Sequence, residues 1–133
     1  MSKELIYDSP SATLWFHPEK KILHHKIHRY MPEEEVKEFL LLGTKTLQER
    51  DAQKWLSEDQ TSSAMNKDFF EWGTTEWFPK TIAAGWKYWA IIQPNHIISQ
   101  IEHEKMAKDY GAMGIEARFF DAVEEALEWL ESI

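Results

Sequence analysis

The hydrophobic pattern of this chain changes period near residue 31, and that change constrains the fold more than any single residue does. Before it lie three short strand-like runs. Leu5 to Tyr7 is closed by the turn signal Asp8-Ser9-Pro10. Thr13 to His17 is closed by His17-Pro18-Glu19-Lys20, and Lys21 to His28 follows. Spacings this tight imply antiparallel hairpins. Pro32 then opens a segment with Glu33, Glu34 and Glu35 in its first turn, where proline and acidic residues suit a helix start. Val36, Phe39, Leu40, Gly43 and Leu47 fall at i, i+3, i+4, i+7 and i+11, one helical face. Gly43 on that face would let the helix approach a sheet closely.

After residue 50 the two periods alternate. Gln53 to Ser57 reads as a strand with Glu58 and Asp59 at its end, followed by a polar stretch to Asn66, which can cap a helix. That helix carries Phe69, Phe70, Trp72 and Trp77. Pro79 should kink or restart it, and Gly85 should end it as a left-handed cap. Lys87 to Gln93 is almost continuously apolar, as a strand covered on both faces would be. A helix from about Ile97 to Tyr110, with Gly111 after it, leads to a last strand, Ile115 to Phe120. Asp121 to Glu124 reads as a D-x-x-E capping box for a final helix carrying Val123, Ala126, Leu127 and Leu130. The expected order is β-β-β-α-β-α-β-α-β-α: an α/β fold whose mixed sheet of five to six strands carries four helices, in a single domain over residues 1–133. Strands alternating with helices imply parallel pairing through right-handed crossovers, and the opening hairpins add antiparallel strands.

Composition removes several function classes. There is no cysteine, which excludes disulfide frameworks, thiolate metal sites and thiol nucleophiles. The net charge of −8 argues against nucleic acid as a general partner, because phosphate affinity comes from Lys and Arg. No run approaches the ~20 apolar residues of a membrane helix, and the N-terminus has no signal-peptide core, so cytoplasmic residence is expected. The glycine spacings match no phosphate loop or dinucleotide fingerprint, and no G-x-S-x-G elbow is present. A nucleophile, base and orienting group cannot be assembled from adjacent elements, so no enzyme and no cofactor are expected.

Four histidines crowd the opening strands: His17, His24, His25 and His28. Neighbours on a strand point to opposite faces, so His24 and His25 diverge. His24 and His28 share a face but stand about 13 Å apart at ~3.3 Å per residue, too far to share one zinc ion. Across a hairpin, His17 could approach His24 or His28. The expectation is surface or half-buried sheet histidines, a weak pH response near neutrality, and no metal. His96 and His103, two helical turns apart, are likewise too distant for one ion.

The strings W-L-S-E-D at 55–59, E-W-F-P-K-T-I-A-A-G at 76–85 and F-F-D-A-V-E-E-A-L-E-W-L at 119–130 resemble the SpoIIAA-like bacterial family, related to STAS domains and to the CRAL-TRIO lipid-transfer fold. The resemblance implies a mixed sheet with helices packed mainly on one side. It further implies a non-enzymatic regulatory module that acts by contact with a protein, including a second copy of itself. The CRAL-TRIO kinship implies the alternative, a binder of a small apolar ligand or lipid. STAS proteins of the anti-anti-sigma type carry a phosphorylatable Ser or Thr at a helix start, and Ser62 and Ser63 occupy roughly that region. Ring density between residues 55 and 89 reads in two ways: rings packed as core between helix and sheet, or a binding site for ligand or partner. The candidates are Trp55, Trp72, Trp77 and Trp89 as its aromatic walls, and Asp59 as the carboxylate where ligands collect in open α/β sheets.

Overall fold

The computed structural model describes residues 3–59, 67–92, 105 and 108–133. Six strands form one mixed sheet: β1 (Glu4–Asp8), β2 (Ala12–His17), β3 (Ile22–Ile27), β4 (Lys54–Asp59), β5 (Tyr88–Ile92) and β6 (Glu116–Phe120). Their order across the sheet is their order in the chain. β1, β2 and β3 are antiparallel neighbours, whereas β3 to β6 run parallel. The helices are α1 (Glu33–Glu49), α2 (Lys67–Trp72), α3 (Phe78–Ala83), the described part of α4 (108–112) and α5 (Val123–Glu131). The mixed α/β class, the hairpin start and the parallel second half are as the sequence implies. Asn66, His96 and His103 lie outside the described residues.

Sequential parallel strands joined by crossovers of one hand must carry every crossover helix on the same face. Accordingly α1, α3 and α4 share a face, over a core of Leu14, Phe16, Leu23, Ile27, Phe39, Leu47, Trp55, Trp77 and Trp86, with Tyr110 of α4 against it. The opposite face receives α5, whose Ala126 and Leu130 pack on Leu56, Ala90 and, at its limit, Ile22 of β3. β5 is thus covered on both sides, which explains its continuous apolar run.

Each crossover helix turns into its strand by the same device. After α1 the chain adopts φ 55° at Asp51, and the Ala52 N–H reaches back to Leu47 O at 2.9 Å. After α3, Gly85 takes φ 117°, with Trp86 N–H on Thr81 O at 3.2 Å. After α4, Gly114 takes φ 97°, with Ile115 N–H on Tyr110 O at 3.1 Å. These are Schellman closures, which satisfy the last carbonyls of a helix. The residue after each turn (Ala52, Trp86, Ile115) is buried and anchors the strand entrance. Gly85 behaves as the sequence suggests. The α4 stop differs: Gly111 stays helical and Gly114 makes the turn.

Two other local expectations need correction. α5 begins at Val123 with Ala122 as its N-cap in extended conformation, and no side-chain cap hydrogen bond forms there. Pro79 does restart a helix, but through a π turn, Gly73–Trp77, in which the Phe78 N–H bonds Gly73 O. A proline cannot donate the bond that a continuous α-helix needs, and the wider turn re-registers the chain before it. The shift buries Trp77 and Thr81, one turn apart, against α1.

The ring of Trp55 lies directly over Gly43. A Cβ there would stand 2.5 Å from Trp55 Cη2 and 2.8 Å from Cζ2. Gly43→Ala should therefore cost about 1–3 kcal/mol by overpacking, despite the better helix propensity of alanine. Gly85→Ala forces a side chain into positive φ with its Cβ 3.3 Å from Ala52 O, and about 1–2 kcal/mol is expected. Urea unfolding midpoints of the two variants check both; a midpoint for Gly43→Ala at or above that of the parent would contradict the close approach.

Candidate functional site

The tryptophans named from the sequence divide into core and margin. Trp55 is 1% exposed and its Nε1–H donates to His25 Nδ1 at 2.8 Å. Trp77 donates to Leu40 O at 3.3 Å and Thr44 Oγ1 at 3.0 Å. Thr44 and Thr81 are themselves joined at 2.8 Å, so a small polar clasp ties α1 to α3 inside the apolar layer. Trp55, Trp77 and Trp86 touch one another with ring centroids 5.3–5.5 Å apart, at tilted or edge-on angles that aromatic rings favour. Trp89 is half-buried, with its Nε1–H on Ser57 Oγ at 2.7 Å and its ring 4.8 Å from that of Tyr110. Trp72 is half-buried at the end of α2, with Lys37 Nζ 5.3 Å from its ring centroid. Trp55, Trp77, Trp86 and Trp89 thus spend their ring N–H groups inside the protein. Asp59 closes β4 opposite Ile27. Ser62 and Ser63 lie outside the described residues.

The chemistry gathers on the other face, from residues the sequence left scattered. Trp15, His17, His24, Lys26 and Glu58 share it, because Ala12, Leu14, Phe16, Leu23 and Trp55 point the opposite way. His17 Nε2 meets His24 Nδ1 at 3.0 Å across the β2–β3 hairpin. His24 Nε2 meets Glu58 Oε2 across the parallel β3–β4 pair. His24 is 3% exposed and Glu58 7%, so both are more deeply buried than surface histidines and strand-end carboxylates would be. His25, on the core face, is buried as well, at 4%. The expectation of surface or half-buried histidines thus fails for His24 and His25, because the third strand is interior to the sheet and flanked on both edges.

The rings of His17 and His24 are nearly parallel, 16° apart, with centroids separated by 5.3 Å. A 3.0 Å nitrogen contact leaves that separation only if the two nitrogens face each other in line, edge to edge. The pair is therefore hydrogen-bonded head-on. His24 accepts from His17 Nε2–H at Nδ1 and donates from Nε2–H to the Glu58 carboxylate, one consistent run of donors. Burial holds His24 below its ordinary value, against the opposing pull of Glu58. Burial, with the neighbouring His24 and Lys3, brings His17 down to about 4. Burial pushes the Glu58 carboxyl upward, but the His24 hydrogen bond and the charges of His24, Lys26 and His25 outweigh it, and the net direction is down.

A second hydrogen-bonded trio closes the β1 side. Thr13 Oγ1 donates to Asp8 Oδ1 at 2.8 Å and so accepts from His28 Nε2 at 2.6 Å. Lys3 Nζ stands 4.1 Å over the Trp15 ring. Among the described residues no group of three or more His, Asp or Glu side chains is placed to hold a metal ion. The bond between His17 and His24 is itself the reason at this spot, since nitrogens facing head-on at 3.0 Å leave no room for an ion between them.

The pH response follows from these directions. His17 and His24 titrate lower when folded than the ordinary 6.5, so between those values the unfolded chain binds more protons. Stability should be level above about pH 6.5 and fall as the pH drops toward 4, with Glu58 adding further loss below 4.5. Urea midpoints at pH 7.5, 6 and 5 measure this. The slope should be shallower in His17→Gln, and a parent midpoint unchanged between pH 7.5 and 5 would contradict the assignment.

No protein-family model matches the chain, and no curated protein or solved structure matches it either.

Proposed function

We propose that the chain is a regulatory protein-interaction module of the SpoIIAA-like, STAS-related kind, acting by contact and turning over no substrate. The observation that carries this reading is the unequal dressing of the sheet. Among the described residues, one face is covered by α1, α3 and α4, whereas on the other α5 lies over β4 to β6 and reaches Ile22 of β3. The remaining half-face, over β1 to β3, presents Leu5, 58% exposed, directly opposite half-buried Trp15. An exposed aliphatic beside a tryptophan with a polar surround of Lys3, His17 and Lys26 has the anatomy of a protein contact: an apolar centre with a charged rim.

The closed state of the ring cluster supports this over the apolar-ligand alternative. A ligand pocket between residues 55 and 89 would need free walls. Trp55, Trp77 and Trp86 are each 6% exposed or less and fill one another's gaps. Among the described residues no helix is long and apolar enough to cross a membrane. A second copy of the chain is one candidate for the partner.

Size-exclusion of native lysate from the source cell tests the reading. The parent should elute in an assembly larger than the monomer, and Leu5→Glu with Trp15→Glu should weaken that assembly at least tenfold, about 1.4 kcal/mol or more. Ile133→Glu, at the exposed C-terminus, serves as the control and should leave it intact. A parent that elutes as a monomer overturns the proposal. A parent that carries an apolar adduct in native mass spectrometry would support the alternative.

A further inference from the structure

His17 stands in the nucleophile's place of a hydrogen-bonded triad. Its Nε2 meets a second imidazole at 3.0 Å, and that imidazole is held by a buried carboxylate. Nucleophile, base and orienting acid in this sequence is the general arrangement for activating a weak nucleophile. In an imidazole the activated atom is the nitrogen across the ring. With Nε2–H directed at His24, the lone pair of His17 sits on Nδ1 and points away from the triad. Nδ1 makes no hydrogen bond among the described residues, and the His17 side chain is half-buried, hence reachable.

The charge distribution selects the electrophile. Residues 1–31 carry five Lys or Arg against three Asp or Glu, a formal +2, whereas residues 32–133 carry ten against twenty, a formal −10. The one basic portion of an acidic chain is the portion that holds His17. Lys3 lies over Trp15 on the same face, and Lys26 lies opposite Glu58 in the β3–β4 register. Lys3 and Lys26 on this face favour the approach of an anionic group.

We propose that His17 is a phosphoryl-accepting residue: Nδ1 takes the phosphoryl group, His24 takes the proton that the reaction makes acidic, and Glu58 receives a proton at the end of the chain. The donor is a small activated phosphate, an acyl phosphate or a phosphoramidate. The Nδ1 lone pair forms the nitrogen–phosphorus bond as the bond from phosphorus to its leaving group breaks, and the electron pair of that bond departs with the leaving group. The His17 ring is then cationic. Its Nε2 proton passes to His24 Nδ1, and the proton on His24 Nε2 passes to the Glu58 carboxylate. All rings end neutral, Glu58 ends protonated, and a dianion stands on the half-face beside Trp15. This chemistry does not require that the half-face bind a protein, so the two proposals fail separately.

The experiment treats the full chain with potassium phosphoramidate and follows intact mass, with sites mapped under alkaline conditions that preserve phosphohistidine. His28 is the internal control: it is exposed, and its Nε2 bonds a hydroxyl rather than an imidazole–carboxylate pair. His17 should be labelled at least tenfold faster than His28. Glu58→Gln should slow His17 at least tenfold and leave His28 unchanged. The His17 rate should stay level between pH 7.5 and 5.5, whereas a free histidine side chain loses roughly tenfold by protonation over that range. Equal rates at His17 and His28 overturn the proposal, as does a His17 rate indifferent to Glu58→Gln in a variant whose circular dichroism matches the parent. If that variant does not fold, the His17-to-His28 ratio and the pH profile of the parent decide the matter without it.

Discussion

Trp55 can fill the space between β4 and α1 only because Gly43 has no side chain. The contact fixes how far α1 stands from the sheet, and much else follows from that distance. His25 is placed edge-on to Trp55, 5.9 Å away, and accepts its indole proton. Trp77 and Trp86 close on the other edges of the same ring. Through Trp77 the constraint reaches Thr44 and Thr81, so the α1–α3 clasp is set by the same packing. A large aromatic residue opposite a glycine is a lock with one solution, whereas several mid-sized aliphatics would admit many. The apolar side of the sheet is therefore rigid, and the histidine triad on the reverse side of the same strands is mounted on a stiff support.

That reverse side obeys different physics. His17, His24 and Glu58 come from three adjacent strands, and each satisfies the next. A buried carboxylate without a donor would be costly, and a buried imidazole without an acceptor nearly so. Arranged in line, His17 donates to His24 and His24 donates to Glu58. The sheet thus buries the imidazole and the carboxylate and leaves His17 half-buried at the end of the run.

Much of the fold was legible in the residues. The change of period at residue 31, the proline at 79 and the glycine at 85 each carry a local backbone requirement, and such requirements survive folding. Gly43 was legible for the same reason, since its place on an apolar helical face has few explanations. The triad was harder to see. His24 and Glu58 are 34 positions apart, and their meeting depends on the register of a parallel pair, which no local pattern encodes. The signal that could have found it was parity: His17, His24 and Glu58 all fall on the strand positions opposite to the core residues. Ring density pointed instead to residues 55–89, because an abundance of tryptophan reads alike whether the rings line a cavity or fill one. The D-x-x-E spacing at Asp121 implies a capping box, but the chain begins its helix one residue later than that box needs.

The strict agreement between chain order and strand order has a consequence for how the molecule comes into being. Every new strand pairs with the one made just before it, so no strand waits for a distant partner. The two hairpin loops are short, whereas each parallel addition waits for a whole crossover to be made, and because loop closure grows only slowly with length each added pairing costs little more. The sheet can therefore grow from its first hairpin outward as the chain leaves the ribosome, with β6 as the last edge laid down. α5 then folds back over the finished strands, and the final nine-residue helix acts as the latch on a structure already built.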